Sequence, residues 1–214
     1  AVVILQFYYR QNESVKALNS AKLNAELKLL KAQLNPHFFF NTLNNLYSLA
    51  LKKSDQTPGM ILRLADLMRY TLDNNEREEV RLEEELAFIK NYVEIEQERF
   101  GAKSPVDWNI NVNNQSMLIP PLTLITFVEN AFKHGVSPSR QPARVEISLA
   151  EEEDSLTFTV SNPIPKVPSK NEGKNQIGLS NLKQRMELIY GQNFSMTIRS
   201  SDMFIVSMKI PKSR

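Results

Sequence analysis

The chain contains two histidines, and each lies in a motif whose residue types suit phosphoryl transfer. His37 follows Pro36 in the motif QLNPHFFFN, within a long segment of helical spacing. A neutral imidazole is a competent nucleophile near pH 7 and can carry a phosphoryl group. Because proline removes a helical hydrogen bond, a kink at Pro36 could turn the imidazole outward. The alternative is a buried core histidine among the three phenylalanines that follow it, and this segment alone does not decide between the two.

The second motif, ENAFKHG at 129–135, offers ligands for a nucleotide and its metal ion. Mg²⁺ prefers oxygen ligands and bridges phosphate groups, and the amide oxygen of Asn130 can supply one such ligand. Lys133 and His134 follow three and four residues later, which on an α-helix places them on the same face, within reach of phosphate oxygens. Glu129 is a candidate proton acceptor or water-orienting residue. The alternative for Lys133 is an ordinary solvated lysine.

Helical spacing dominates residues 15–100, which we predict to be a dimerisation and phosphotransfer region. Its first helix carries a coiled-coil seam in 4-3-4-3 spacing, formed by Leu23, Leu27, Leu30, Leu34 and His37. A rod of about 40 residues, roughly 60 Å long, cannot bury such a seam alone, so we expect a homodimer. SDQTPG predicts a turn, ILRLADLMRYTL a second helix returning as an antiparallel hairpin, and LEEELAFIKNYVEIEQERF a third helix ending at Gly101.

Residues 101–214 change to a pattern of alternating strands and helices. VDWNINV alternates like a strand, ARVEISLA and SLTFTVSN predict a hairpin, and FSMTIRS and MFIVSMKI predict two closing strands. MLIPPLTLITFVENAFKHG predicts a helix that opens near its Pro-Pro pair, and GLSNLKQRMELIYG predicts another. The fold class is therefore multi-domain, with a helical hairpin followed by an α+β sandwich.

Composition limits the other possibilities. The net charge is +2 with both signs interspersed, and no basic stripe with interleaved aromatic residues appears, so direct nucleic-acid binding is not expected. The absence of cysteine excludes disulfides and thiolate metal sites. The apolar start AVVILQFYYR is too short to span a bilayer, and we interpret residues 1–14 as the inner, juxtamembrane end of a transmembrane helix. A short buried helix or a disordered terminus is the alternative.

The helical region resembles a known family. QLNPHFFFNTLNNLYSLA closely resembles the phosphoacceptor motif of the LytS/YehU-type sensor histidine kinases, with Phe39 where typical members have leucine. LADLMRYTL and LEEELAFIKNYVEIEQERFG are also similar to that family. The resemblance implies that His37 is autophosphorylated from ATP and Mg²⁺ and passes the phosphoryl group to an aspartate of a response regulator, often one with a LytTR DNA-binding domain. It also implies a homodimer at the cytoplasmic face of the bacterial membrane, anchored by an upstream segment.

VENAFKHG resembles the N box of the GHKL (Bergerat) ATPase fold, but the next box departs from that family's pattern. The resemblance implies that Asn130 binds Mg²⁺ through ATP. In most members an aspartate in a DxGxG-like stretch accepts the adenine amino group; here Asn162 takes that place and both glycines are missing. A neutral acceptor makes a weaker hydrogen bond than a charged one, so reduced adenine affinity is expected.

The glycine-rich box is also altered. GKNQIGLSN has Ile177, Gly178, Leu179 and Asn181 in register with the family's pattern, while Gln176 replaces a glycine. By this resemblance, the loop at 163–176 is an ATP lid. Its lysines, at 166, 170 and 174, are either phosphate contacts or solvated loop residues.

Three functions compete on these observations. The first is a two-component sensor histidine kinase that uses both motifs. The second is a degenerate, non-catalytic dimeric scaffold that binds nucleotide weakly or not at all, which the altered boxes favour and the intact His37 motif disfavours. The third is a GHKL ATPase such as a chaperone, which leaves the histidine helix unexplained.

Overall fold

The computed structural model describes residues 36–74, 77–101, 104–139, 141–164 and 177–212. The chain divides into two compact units, Ala1–Ser48 and Leu49–Arg214. The predicted juxtamembrane segment 1–14, the leucines of the seam and nearly all of the predicted lid lie outside the described residues. Within the described ranges, no helix has the length and apolar character needed to cross a membrane. The predicted domain boundary at residue 101 stays a prediction.

Three long helices occupy the N-terminal part of the described chain. They are α1, Pro36–Leu51, α2, Thr57–Asp73, and α3, Leu82–Phe100. A proline in the first turn of α2 has a favourable φ and lacks only an N–H that would have no helical partner. Gly101 ends α3 at φ 60°, a conformation that costs glycine little. The second and third predicted helices are therefore confirmed, and the described part of the first, from Pro36, is helical; the antiparallel hairpin of the first two stays a prediction.

Helices α2 and α3 pack against each other in the second unit. The face of α2 that becomes buried follows helical spacing and consists of Met60, Leu64, Leu67 and Thr71. An ion pair between Arg63 and Glu94 also links the two helices. Beside this buried face, α2 keeps several large apolar residues exposed: Ile61, Leu62, Met68 and Leu72.

A five-stranded mixed sheet forms the core of the second unit, and a two-residue ladder lies apart from it. The short strands are β1, Val80–Arg81, and β3, Leu118–Ile119, which pair antiparallel. The main strands are β2, Val106–Asn111, β4, Val145–Glu151, β5, Ser155–Pro163, β6, Ser195–Ser200, and β7, Met203–Pro211. Their order is β2-β4-β5-β7-β6; β2 and β4 are parallel and the other neighbours antiparallel. The predicted hairpin β4–β5 and the two predicted closing strands β6 and β7 are confirmed, and the closing strands pair antiparallel.

Two helical segments complete the second unit. Helix α4, Ile125–Asn130, continues directly into a π-helical turn, Ala131–Val136, and α5 spans Ile177–Tyr190. Phe127 of α4 makes an edge-to-face contact with Phe158 of β5, with ring centroids 5.5 Å apart, which seats α4 on the buried face of the sheet. The prediction that this helix opens at the Pro-Pro pair was wrong, because a non-helical segment precedes Ile125.

Candidate functional site

The motif at 129–135 lies where α4 widens into the π-helical turn. Asn130 is the last residue of α4, and the N–H of Ser137 donates to the carbonyl of Phe132, five residues back, at 2.8 Å. Single π turns inside α-helices are frequent at functional sites. The predicted α-helical face for the motif is corrected here, because the spacing of a π turn is wider. Asn130, Glu129 and His134 are half-buried, and Lys133 is exposed.

Gly135 and Asn162 are in direct contact, although they lie far apart in sequence. A Cβ built on Gly135 would fall 2.4 Å from Nδ2 of Asn162, 2.6 Å from its Cγ and 2.8 Å from its Cβ. Only glycine fits there, since real Cβ atoms do not approach other atoms so closely. The Asn162 side chain is held in place, because it is buried and donates from Nδ2 to the carbonyl of Pro163 at 2.9 Å.

The glycine-rich box approaches the same helix one turn before Asn130. Ile177 is the first residue of α5, and a Cβ on Gly178 would lie 3.8 Å from Cγ2 of Thr126, an ordinary contact distance. Leu179 is buried, whereas Gly178 and Asn181 are exposed. The structure therefore brings three of the predicted boxes together around α4 and its π turn.

The electrostatic surroundings of the motif favour a neutral imidazole. Partial burial, and secondarily the charge of Lys133, lower the pKa of His134 below its usual value. A neutral ring at pH 7 can accept a hydrogen bond at one nitrogen and donate one from the other. His134 therefore suits hydrogen bonding to a ligand better than charge pairing with it.

The start of α4 is held by a buried carboxylate that the sequence interpretation did not single out. Glu85 of α3 is fully buried. One carboxylate oxygen accepts from the N–H of Leu122 at 2.6 Å and from the hydroxyl of Tyr70 at 2.7 Å, and the other accepts from the N–H of Leu124 at 3.0 Å. The N–H of Thr123 donates to it as well. Burial raises the pKa of Glu85, and these donors oppose that effect.

A second buried carboxylate of α3 lies beside the motif itself. Burial raises the pKa of Glu96 to about 7, while Arg99, whose guanidinium lies 2.8 Å away, and the hydroxyl of Tyr92 oppose the shift. The charge of Glu129 raises the pKa of Glu96 further, so the predicted proton acceptor is electrostatically coupled to this buried acid.

The C-terminal half of α3 packs against the π turn through aromatic contacts. Phe132 is fully buried; its ring lies 6.1 Å from that of Tyr92, edge to face, and 6.4 Å from that of Phe100, stacked. The guanidinium of Arg99 covers the Phe100 ring at 4.2 Å. Helix α3 therefore contacts the segment before α4 through Glu85 and the π turn through Tyr92 and Phe100.

Helical spacing carries a signal for these overlooked carboxylates. Glu85 and Glu96 share one apolar face of α3 with Leu82, Ile89 and Tyr92, and all five are buried. An acidic residue at a position where the spacing requires an apolar one is a candidate for a buried, hydrogen-bonded role.

His37 is the second residue of α1 and belongs to the first unit. Downstream on this helix Phe38 is buried, its ring 5.4 Å from that of Phe39 in an edge-to-face contact, and the hydroxyl of Thr42 donates to the carbonyl of Phe38 at 2.9 Å. Phe40 is 68% exposed. The predicted role of His37 stays a prediction.

The comparisons with known proteins agree with the motifs. A family model described as histidine kinase matches residues 25–104. The sensor histidine kinase YpdA of Escherichia coli (strain K12) is 34% identical over 202 residues, which cover 90% of this chain and 36% of YpdA. The sensor protein LytS of Staphylococcus haemolyticus (strain JCSC1435) is 28% identical over 200 residues, 88% of this chain and 34% of LytS. The chain thus spans about a third of the length of these relatives.

Among solved structures, the nucleotide-free catalytic domain of histidine kinase ThkA is similar over 63% of this chain and 94% of that domain. The identity is 16% and the TM-score 0.47, too distant a likeness to carry an argument.

Residues 25–104 therefore resemble histidine kinases in sequence. Within that class, the resemblance of the chain to the LytS-type sensor histidine kinases is confirmed.

Proposed function

We propose that this chain contains the autophosphorylation and phosphotransfer machinery of a two-component sensor histidine kinase. The observation that carries the proposal is the meeting of three motif boxes around one helical segment, with Asn162 against Gly135 and Gly178 near Thr126. The match of residues 25–104, which include His37, to histidine kinases supports the same function.

The donor set of the site fits a magnesium nucleotide. Asn130 offers one neutral oxygen ligand, which suits Mg²⁺ because this ion keeps several waters and takes its remaining ligands from phosphates. No cluster of three or more potential metal-ligating His, Cys, Asp or Glu residues occurs among the described residues. In this proposal Lys133 and His134 contact phosphate. Asn162 accepts a hydrogen bond from the adenine amino group. The wall of the phosphate site is formed by Ile177, Gly178, Leu179 and Asn181.

The proposed reaction transfers a phosphoryl group from ATP to His37, and then from His37 to an aspartate of the response regulator. A nitrogen of His37 attacks the γ-phosphorus of ATP, the bond from that phosphorus to the bridging oxygen breaks, and ADP leaves. The imidazole proton passes to a base as the N–P bond forms. An aspartate oxygen of the response regulator then attacks the phosphorus and the N–P bond breaks. Positioning and charge neutralisation supply most of the catalysis in such transfers.

Exposed apolar residues of the helical region support the proposed homodimer. On α1 the large apolar residues Phe40, Leu43, Tyr47 and Leu51 recur every three or four positions, and each is more than half exposed. A contiguous apolar stripe of this kind is typical of a surface that a partner covers. We propose that a second copy covers it, that the regulator is of the LytTR type, and that an upstream segment anchors the chain to the cytoplasmic face of the membrane.

One observation favours the second candidate, a non-catalytic scaffold. Asn162 is neutral, so its amide oxygen accepts the hydrogen bond from the adenine amino group more weakly than the usual carboxylate would. A scaffold would keep the fold and the dimer without phosphoryl transfer.

Labelling with γ-phosphate-tagged ATP and Mg²⁺ separates the two candidates. The kinase predicts acid-labile, alkali-stable label that is lost in both His37→Gln and Asn130→Ala. Asn109→Ala, on the exposed edge strand β2, is the matched control and should label like the wild type. No label together with no nucleotide binding in calorimetry would refute the kinase and favour the scaffold.

A further inference from the structure

The segment 120–124, which we call the junction segment, connects β3 to α4 and is under backbone strain. Leu122 adopts φ 57°, a left-handed conformation that bulky non-glycine residues rarely take. Such strain persists only where surrounding contacts over-determine the backbone, and it is a reason to ask what the segment does.

Helix α3 holds the junction segment, and α2 is hydrogen-bonded to the residue of α3 that does so. Glu85 of α3 accepts from the N–H groups of Leu122, Thr123 and Leu124. Tyr70 of α2 donates to the same carboxylate and stacks on Phe88, with ring centroids 4.4 Å apart.

Helix α5 also contacts the junction segment. The guanidinium of Arg185 donates to the carbonyl of Pro121 at 3.0 Å, and the hydroxyl of Thr123 approaches the sulfur of Met186 at 3.9 Å. Arg185 also feels the charge of Glu85. Helices α3 and α5 thus both contact this five-residue segment, and α2 is joined to it through Glu85.

The elements joined through Glu85 are close in sequence to both His37 and Asn130. The junction segment leads directly into α4, whose last residue is Asn130, and residues 52–56 alone separate α2 from the acceptor helix α1. Tyr70 therefore ties the helix that follows the acceptor to the helix that carries the proposed magnesium ligand. A buried carboxylate with several donors holds its partners in one geometry, because any displacement would leave it unsatisfied.

We infer that Glu85 is a positioning residue for the nucleotide site, which fixes the junction segment, and with it Asn130, relative to α2 through Tyr70. The nucleotide part of this inference rests on the proposed function. A shift of α2 would displace Asn130, because Tyr70 of α2 and the backbone that leads into α4 are hydrogen-bonded to the same side chain, that of Glu85.

The test compares Tyr70→Phe and Glu85→Gln with Thr71→Val in the 214-residue chain. Thr71→Val is the matched control, since it removes a neighbouring buried hydroxyl that donates to Leu67 within α2. Two readouts are taken: Mg-ATP affinity by calorimetry, and amide hydrogen exchange of residues 122–130.

Tyr70→Phe should bind Mg-ATP roughly fivefold more weakly, the lower end of typical coupling between sites. Its amides at 122–130 should exchange about tenfold faster, the effect of losing one charge-assisted hydrogen bond. Thr71→Val should change neither readout. Glu85→Gln should have a larger effect, because its amide nitrogen must face a backbone donor.

Wild-type affinity and unchanged exchange in Tyr70→Phe would overturn the inference, and this variant decides the matter if Glu85→Gln fails to fold. If the wild type itself binds no Mg-ATP, the proposed function fails, and the exchange data still decide the role of Glu85. In that case faster exchange at 122–130 in Tyr70→Phe than in Thr71→Val supports the role, and equal exchange refutes it.

Discussion

Gly135→Ala tests the contact that joins the nucleotide motif to the sheet. The new Cβ would lie 2.4–2.8 Å from three atoms of Asn162. Asn162 cannot move aside easily, since it is 2% exposed and hydrogen-bonded to Pro163. Overpacking of this kind destabilises a protein by about 1–3 kcal/mol. Because alanine is otherwise the better helix former by roughly 0.5–1 kcal/mol, part of that loss is offset.

The matched control is Gly59→Ala in α2. Its Cβ would meet only the flexible end of Arg63 at 3.2 Å, so the control should be neutral or slightly stabilising. The free energies of unfolding of the two variants, measured by urea titration, should differ by about 1–3 kcal/mol. That corresponds to a difference in Tm of at least roughly 2–4 °C for a chain of this size.

A second substitution identifies the cause of the effect. Asn162→Ala removes the two atoms nearest to the new Cβ, so in the Gly135→Ala background it should cost less than in the wild type. Nucleotide affinity in Gly135→Ala should fall together with stability, because the π turn must shift. Equal stability of Gly135→Ala and Gly59→Ala would refute the close contact, and additive effects of the two substitutions would refute its cause.

Three further predictions follow from charge and exposure. Burial raises the pKa of Glu96 to about 7, so the folded protein holds a proton that the unfolded chain has released, and stability should fall from pH 5 to pH 7; Glu96→Gln should remove about 2 kcal/mol of that fall in urea titrations, and an unchanged slope would contradict it. The ring of His134 should titrate below pH 6.5 by NMR and move upward in Lys133→Met; an unchanged midpoint would show that the ring does not feel this charge. Tyr47→Glu should dissociate the proposed dimer in sedimentation while the exposed Leu188→Glu does not, and equal behaviour of both would place the interface elsewhere.

The strands and long helices were predictable because their signals are local. Alternation in β4 and β5 follows from one buried face, where Val145, Ile147 and Leu149 lie on one strand and Leu156 and Phe158 on the next. The same holds for the buried stripe of α2.

Features that depend on tertiary contacts were not predictable in the same way. The three acidic residues at 83–85 look alike in sequence, yet Glu84 accepts from the backbone N–H of Arg81 at 3.4 Å, whereas Glu85 is buried against the junction segment. Helical spacing places Glu85 on the apolar face of α3, but only the packing of α3 against the junction segment determines which donors it meets. The left-handed Leu122 and the π turn are likewise set by neighbouring elements and not by the propensity of their own residues.

The nucleotide motif depends on its neighbours because its own helix is weak. Helix α4 has six residues and passes directly into a π turn, and so short a segment is not stable by itself. Its conformation must come from Glu85 at its start, the aromatic contacts of Phe132, and Asn162 against Gly135. None of these supports uses the missing glycines of the altered boxes. Asn130 is therefore held in place without those glycines, so their loss should weaken adenine binding more than magnesium binding.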